Sequence, residues 1–370
     1  MTVHDPREHV RPLTSLRFLA ALWVLMHHAL PRGPEGSLAA ALGESGWLGV
    51  SLFFVLSGFL LTIRYAPAGV LVRPRRDFWL ERVARLGPTY LLAMAFAIPL
   101  FVRDAAVDEL SAGRIAAVVA SALSLQQAWR PELACEWNCP AWSLSVEAWF
   151  YLAFPLVILA IGPWLMRRPL RGMSVAVASL AASALIFPGL VRVGGDWPLP
   201  LFALSPLARW PEFLAGIGLA ALLKDWRPSG PVPGAALVLA GLGWLALAVA
   251  LRGAVAAHGL DLLPVAVPGF MALVAGCWAL RGLPAGGLGA AWLVLLGEAS
   301  YALYLFHAPM HGYVLALTNR LVGRGHDLSW VLFAVYLLLA LGSTLLIHRA
   351  FERPWRTRLR ARFGLVRAAT

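Results

Sequence analysis

Charged side chains are scarce in this 370-residue sequence, because Asp, Glu, Lys and Arg together make up only 14% of it. A typical soluble domain contains about 25% charged residues. Apolar residues reach 60%, and the mean hydropathy is +0.72. A soluble chain of this length has no means of hiding so much apolar surface from water. The composition therefore excludes a soluble globular protein and indicates an all-α membrane protein that crosses the bilayer many times.

Cysteine is also rare, since the chain has only three, and this excludes a disulfide framework. Cys135 and Cys139 flank a three-residue segment. They either form a small extracytoplasmic disulfide or remain two unlinked thiols. Cys277 lies alone within an apolar run. We expect neither a metal site nor a bound cofactor.

Acidic residues are fewer than basic ones, 19 against 31, so the net charge is +12. Nearly all of the basic residues are arginine. A basic protein often binds nucleic acid, but here the arginines lie in short loops between apolar runs, as topology signals do. We therefore expect the lipid bilayer, and not nucleic acid, as the large-scale partner.

Apolar runs long enough to cross a bilayer, which requires about 20 residues each, predict a bundle of about ten transmembrane helices. The segment 114–128 is apolar but too short to cross, so we interpret it as re-entrant or interfacial. The ten predicted spans are 13–30, 46–66, 88–102, 141–165, 172–192, 206–223, 232–251, 262–280, 299–318 and 329–349.

The arginine distribution sets the predicted orientation, because basic loops remain in the cytoplasm. Most basic residues fall on one side when the N-terminus is placed inside. Both termini are then cytoplasmic, and the number of crossings is even. We predict a single membrane domain over residues 1–370, with a short N-terminal segment 1–12 and a basic tail 350–370. The predicted location is the bacterial inner membrane.

Ionisable residues inside predicted spans are costly and therefore candidate functional residues. The first span carries Arg17 and His28, eleven residues apart, which places them on one helix face about 16 Å apart along the axis. Its neighbour His27 points about 100° away from His28. The alternative is that His28 is only an interfacial histidine near a helix end.

The fourth span carries Ser143, Glu147 and Tyr151 at positions i, i+4 and i+8, so a hydroxyl, a carboxylate and a phenol share one face. A buried carboxylate needs a partner, for which Arg17 is a candidate. The alternative is a ladder of hydrogen bonds that only packs helices together.

The ninth span repeats this polar pattern along one helix face. Its members are Ser300, Tyr304, His307 and His311. On the sixth span, Arg209 and Glu212 are three residues apart, so we expect them to neutralise each other in a structural role.

Arg82 and Arg85 lie one turn apart just before the third span. Guanidinium groups match phosphate oxygens in both geometry and charge, which suggests an anion-binding role. The alternative is an ordinary positive loop beside anionic lipid, which is sufficient to explain Arg73, Arg75 and Arg76.

Taken in order, these motifs resemble those of membrane acyltransferase family 3, integral membrane enzymes that O-acylate sugars and glycosylated natural products. The resemblance runs from about residue 13 to 356. One departure is Ser51, which stands where an aspartate is common in that family. The motifs are Arg17 with His28, the segment 49–60, Arg82-x-x-Arg85-x-x-Pro88-x-Tyr90, Trp142-Ser143-Leu144-Ser145-x-Glu147-x-x-x-Tyr151, Arg209-x-x-Glu212-Phe213-x-x-Gly216, Ser300-Tyr301-x-x-Tyr304-Leu305-x-His307-x-Pro309 and Glu352-Arg353-Pro354.

The resemblance implies an O-acyltransferase that takes an acyl group, acetyl in the first instance, from acyl-CoA. The implied acceptor is a glycan, a lipid-linked sugar or a glycosylated metabolite. No esterase-like domain follows the membrane part, so we expect the chain to complete the transfer itself or to pass the acyl group to a partner.

The implied site residues divide into three groups by role. His28 acts either as a general base or as the acylated nucleophile, and Glu147, Ser143 and Arg17 support it. The phosphates of acyl-CoA are expected on Arg82 and Arg85. The residues expected to contact or orient the substrate are Tyr151, Tyr304, His307 and Trp142.

A proton-coupled transporter of a polar lipid or sugar is the alternative function, since carriers also bury His, Glu and Arg. Against it, we find no inverted repeat between the halves of the chain and no paired broken helices.

Overall fold

The computed structural model describes residues 10–365 except 32, 35, 194–203, 227, 229, 258–261, 283–285 and 323–328. This part of the chain is helical and contains no β-strand, which confirms the all-α class. The helices are α1 (Arg11–Ala29), α2 (Leu38–Ser45), α3 (Leu48–Tyr65), α4 (Arg75–Val107), α5 (Ala112–Leu123), α6 (Trp142–Met166), α7 (Pro169–Val193), α8 (Pro206–Leu223), α9 (Val232–Ala250), α10 (Arg252–Ala257), α11 (Leu262–Ala279), α12 (Ala291–Glu298), α13 (Ser300–Val322), α14 (Trp330–Ile347) and α15 (Arg353–Arg362).

Each of the ten predicted spans overlaps one of these helices. Among the described residues, six helices are long and apolar enough to cross a membrane, or seven if the bent pair α12 and α13 counts as one span. Polar residues lower the mean hydropathy of α1 and α8, because α1 carries Arg17 with two histidines and α8 carries Arg209 with Glu212. A multi-pass membrane protein follows, and the full number of ten crossings stays a prediction.

Helix α4 is much longer than the predicted span 88–102, because it has 33 residues and begins at Arg75. At 1.5 Å per residue it measures about 50 Å, which exceeds the roughly 30 Å apolar core of a bilayer. Arg82 and Arg85 therefore lie on the same rigid helix as the span and not on a separate loop. Pro88, at which the predicted span begins, lies inside this longer helix.

The segment 114–128, predicted to be re-entrant or interfacial, overlaps α5, which has 12 residues and is too short to cross. After it, Cys135 and Cys139 form a disulfide. Trp137, inside this small loop, stacks on Phe101 of α4. The two cysteines are therefore linked, and the loop packs against the bundle.

Helices α3 and α8 pack with their backbones in direct contact, and glycine makes this possible. A Cβ added at Gly58 would lie 2.1 Å from the carbonyl oxygen of Phe213, and one added at Gly216 would lie 2.1 Å from that of Val55. Small residues at such crossings are typical of membrane helices. This contact fixes the position of Ser57, which precedes Gly58 on α3.

Prolines within α6 and α13 free backbone carbonyls that side chains then satisfy. Pro155 lacks the N–H that would bond to the Tyr151 carbonyl, and the indole of Trp79 donates to that oxygen at 3.0 Å. Pro309 frees the Leu305 carbonyl in the same way, and the Asn138 amide donates to it at 3.1 Å. Both helices can therefore carry prolines inside the bundle without leaving these carbonyls unpaired.

The first and last described helices meet at one end of the bundle. Val10 at the start of α1 lines the same cavity as Arg353 at the start of α15. Helix α14 reaches this end and continues through a π-helical turn, His348–Glu352, into α15. The even number of crossings and the cytoplasmic location of both termini stay predictions.

The first prediction concerns orientation. Reporter fusions at Gly230 and after Leu365 should both report the cytoplasm, because both follow helices that end on the arginine-rich face. A fusion at Glu109, after α4, should report the opposite compartment. Enzymatic reporters active on only one side of the membrane give the measurement. An external C-terminal reporter would contradict the orientation.

Candidate active site

A narrow cavity of about 70 Å³ lies in the centre of the bundle, and we call it the inner cavity. Predicted site residues from α1, α4, α6 and α13 face it. Its lining consists of Arg17, Val50, Phe53, Phe54, Leu56, Ser57, Leu60, Leu61, Arg82, Arg85, Leu86, Ser143, Leu144, Glu147, Tyr151, Ser300, Tyr301 and Tyr304.

Glu147 is the carboxylate of this cavity, and two hydroxyl groups donate to its Oε1 atom. One is Tyr151, one turn further along α6, as the i, i+4 spacing predicted. The other is Ser57 of α3, at 2.8 Å. These two donors hold the carboxylate in one orientation and satisfy one of its oxygens in an otherwise apolar environment.

Arg17 faces the same cavity but does not pair with Glu147. Its side chain forms no ion pair or hydrogen bond with any residue in the described part of the chain. It lies instead where the inner cavity meets a second, larger cavity. An unpaired cation in this position is available to a ligand.

Ser143 and Tyr304 close the other end of the inner cavity. Their hydroxyl groups lie 2.7 Å apart and hydrogen-bond to each other, which joins α6 to α13. Both side chains are buried, and Ser143 also donates to the carbonyl of Pro140. Tyr304 can therefore donate to Ser143 while it lies against the ring of His307.

His28 and His307 form a pair beyond Tyr304, at the far end of α1. The Nδ1 atom of His28 lies 3.2 Å from Nε2 of His307. His27, on the neighbouring face, instead places its Nδ1 atom 2.6 Å from the Gly43 carbonyl. Thus His28 faces α13 and His27 faces the segment at α2, so the two adjacent histidines have different environments.

The hydrogen-bond partners of His28 and His307 show which ring nitrogen carries the hydrogen when each imidazole is neutral. Nδ1 of His307 lies 2.7 Å from the Tyr304 carbonyl, and Nδ1 of His28 lies 2.9 Å from the Val24 carbonyl. A carbonyl only accepts, so each Nδ1 carries the hydrogen and each Nε2 carries a lone pair. Nε2 of His307 then faces the Nδ1–H of His28, which leaves Nε2 of His28 as the free basic atom. His28 is exposed, whereas His307 is fully buried.

The larger cavity, about 390 Å³, opens at the opposite end of the bundle, and we call it the mouth cavity. Seven arginines and two carboxylates are among its lining residues. The arginines are Arg17, Arg64, Arg82, Arg85, Arg353, Arg356 and Arg360, and the carboxylates are Glu298 and Glu352.

Arg82 is held in the wall between the two cavities by a buried relay. Its Nη2 donates to the Tyr65 hydroxyl at 2.5 Å, and that hydroxyl donates to Glu81 at 2.8 Å. Glu81 also lies 3.6 Å from Arg64. Arg85, one turn along α4, forms no ion pair or side-chain hydrogen bond with the described residues. Arg82 therefore has a structural partner, and Arg85 is the more available cation.

Trp142 and the structural residue Arg209 lie outside this constellation. Trp142, expected to contact substrate, faces the Arg209 guanidinium at 5.6 Å and lines neither cavity. Arg209 forms the expected buried pair with Glu212, at 3.3 Å. It also donates to Ser51 at 3.4 Å, the position at which the resembled family often carries aspartate. The missing charge is thus replaced by a hydroxyl acceptor.

Sequence reasoning missed two groups of residues at the site. Ser57 lies within the recognised segment 49–60, but it carried no signal that it faces Glu147. Apart from Arg353, which belongs to the motif Glu352-Arg353-Pro354, the basic residues of α15 were interpreted only as part of a topology signal. Their i, i+3, i+7 spacing on a single helix face could have identified Arg353, Arg356 and Arg360.

Comparison with known proteins identifies the class of protein that this arrangement defines. An acyltransferase domain model matches residues 13–349. Acyltransferase MdmB of Streptomyces mycarofaciens is 30% identical over 92% of this chain and 90% of its own length. No solved structure matches.

Two further relatives match over part of their length. The putative peptidoglycan O-acetyltransferase YrhL of Bacillus subtilis is 27% identical over 52% of this chain and 31% of its own. O-acetyltransferase OatA of Staphylococcus aureus is 28% identical over 42% of this chain and 26% of its own. The chain therefore spans under a third of these two proteins.

The protein is a membrane-embedded O-acyltransferase. It belongs to the acyltransferase 3 family, whose domain covers nearly the whole chain. This membership favours the enzyme over the transporter that the sequence left as an alternative.

The second prediction tests the hydrogen bonds to Glu147. Ser57→Ala and Tyr151→Phe each remove one donor from a carboxylate in an apolar cavity, and each should lower the rate of acyl transfer by about 10-fold or more. Ser174→Ala is the matched control, since its exposed hydroxyl bonds only to the Leu170 carbonyl. Turnover at equal amounts of folded protein is the measurement. Equal rates for all three variants would show that Glu147 does not depend on these donors.

Proposed function

We propose that this enzyme transfers an acyl group, acetyl in the first instance, from acyl-CoA to a hydroxyl of a carbohydrate or of a glycosylated small molecule. The observation that carries the proposal is the layout along α1. The arginine-lined mouth cavity and the inner cavity share Arg17, and the histidine pair lies at the other end of the helix. A long donor entering from one side could therefore meet an acceptor from the other.

The charge of the mouth cavity supports acyl-CoA as donor. Its seven arginines against two carboxylates favour a ligand that carries several phosphates. The inner cavity is narrow and mostly apolar, which suits an extended arm that ends in a thioester. Arg17 and His28 are about 16 Å apart along the helix, so they lie beside different parts of such a donor.

His28 is the proposed general base. Its Nε2 atom takes the proton of the acceptor hydroxyl while that oxygen attacks the thioester carbonyl carbon. A C–O bond forms, the C–S bond breaks, and the proton passes to the departing thiolate to give free CoA. His307 accepts the Nδ1–H of His28 and holds the ring in the tautomer that leaves Nε2 basic.

The exposure of His28 and the names of two relatives support the proposed acceptor. His28 is exposed at the end of the bundle away from the mouth cavity. The names of two relatives describe O-acetyl transfer, one of them to peptidoglycan. We therefore propose a carbohydrate hydroxyl as acceptor, and the bacterial inner membrane as the location. Mass spectrometry of surface glycans and small glycosides, with and without the gene, should show a difference of one acyl group in one of these fractions.

The third prediction concerns the donor. Arg85→Ala should raise the KM for acyl-CoA by roughly 10- to 150-fold, the range for a lost charge-assisted contact, and should change the KM for the acceptor much less. Arg76→Ala, an exposed arginine at the start of α4, is the control. Steady-state kinetics in detergent or nanodiscs provides both constants. Unchanged donor kinetics would leave Arg85 with a topological role only.

The fourth prediction concerns the base. His28→Ala should reduce acyl transfer by roughly 100- to 10,000-fold, as expected when a general base is lost. His27→Ala, which alters an adjacent residue of the same type on another face, should keep substantial activity. His307→Ala should lie between the two, because it removes the partner and not the base. An active His28→Ala beside an inactive His27→Ala would refute the assignment.

A further inference from the structure

The C-terminal helix α15 presents three arginines to the mouth cavity on a single face. Arg353, Arg356 and Arg360 lie at i, i+3 and i+7, within about 60° of one another around the helix, and all three line the cavity. Arg358 and Arg362 point to roughly the opposite side and are exposed. The helix therefore separates one cavity-facing group of arginines from another that faces away.

The cavity-facing arginines lack counter-charges of their own. Arg356 is half-buried, its Nε atom is buried without a hydrogen-bond partner, and it forms no ion pair with the described residues. Arg360 reaches Glu81 at 3.5 Å, but that carboxylate also lies within 4 Å of Arg64 and Arg73. Positive charge thus exceeds negative charge along this wall, and an anion would balance it.

Two sets of arginines in the mouth cavity differ in their distance from the inner cavity. Arg82 and Arg85 line both cavities, so they lie where a ligand passes from one into the other. The arginines of α15 line only the mouth cavity, further from the inner one. A ligand with two separate phosphate groups would therefore meet the two sets at different points along its length.

We infer that the basic face of α15 binds the 3′-phosphate of coenzyme A, while Arg82 and Arg85 bind its diphosphate. This inference rests on the proposed function, because it assumes that the donor is an acyl-CoA. Coenzyme A carries its thiol at the end of one long arm, its diphosphate next and its 3′-phosphate on the ribose. That order matches the order of the inner cavity, the Arg82 and Arg85 set, and the basic face of α15.

An anionic lipid headgroup offers the same phosphate chemistry, so the test must separate the two sources. The protein is reconstituted in nanodiscs of phosphatidylcholine alone and of phosphatidylcholine with phosphatidylglycerol. Calorimetry measures the binding of coenzyme A and of 3′-dephospho-coenzyme A to each preparation. The variants are Arg356→Gln, the pair Arg356→Gln with Arg360→Gln, and Arg85→Gln. The control pair, Arg358→Gln with Arg362→Gln, removes the same charge from the outward side of the same helix.

The wild type should bind coenzyme A about 10-fold or more tightly than the 3′-dephospho form, and the α15 variants should lose this preference. Arg85→Gln should weaken binding of both ligands and keep the preference, and the control pair should behave as the wild type. If the double variant folds poorly, the single variant Arg356→Gln replaces it in the test, since Arg356 has no ion pair to lose.

Several outcomes would overturn the inference. If the α15 variants keep the wild-type preference for the 3′-phosphate, the phosphate binds elsewhere while the acyl-CoA proposal stands. If the effect of these variants occurs only in discs with phosphatidylglycerol, the face binds lipid. If the wild type binds neither form of coenzyme A, the proposed donor is wrong, and the assignment of α15 is wrong with it.

Discussion

A charged side chain among apolar helices must pair with an opposite charge, form hydrogen bonds or bind a ligand. The arrangement of this bundle depends on which of these applies to each buried charge. Arg209 is satisfied within the protein by Glu212 and Ser51. Glu147 is satisfied by two hydroxyls. Arg17 and Arg356 are satisfied by neither route in the described part of the chain, and both face a cavity. The satisfied charges hold helices together, and the unsatisfied ones line the two cavities.

Backbone carbonyl groups inside the bundle also need hydrogen-bond partners. Helices α6 and α13 carry the hydroxyls, the carboxylate and the buried histidine of the site, and both contain proline close to these residues. Each freed carbonyl is bonded by a side chain from elsewhere in the chain, Trp79 in one case and Asn138 in the other. Asn138 belongs to the loop closed by the disulfide between Cys135 and Cys139. The position of α13 is thus tied to a covalently closed loop outside the bundle.

Helical periodicity was enough to predict much of this arrangement from sequence. It selected His28 over His27 and placed Glu147 with Tyr151, because both relations lie within one helix. Periodicity could not predict contacts between helices, such as His28 with His307 or Glu147 with Ser57, because these contacts depend on how distant segments pack. Arginine spacing was used at Arg82 and Arg85, but the arginines at the start of α4 and those of α15 after Arg353 were interpreted only as topology signals. The rule for basic loops treats every arginine alike, and it hid the helical continuation of α4 and the face of α15.

The π-helical turn between α14 and α15 determines where that face points. A π-turn adds one residue to an α-helical path, so everything after it is rotated by about 100° relative to an uninterrupted helix. Pro354, which cannot donate a backbone hydrogen bond, lies just after the turn and favours this departure. Deleting a single residue from His348–Glu352 would turn the arginines of α15 away from the cavity without changing any of them. The direction in which these arginines point is therefore set by the length of one turn and not by the identity of the side chains.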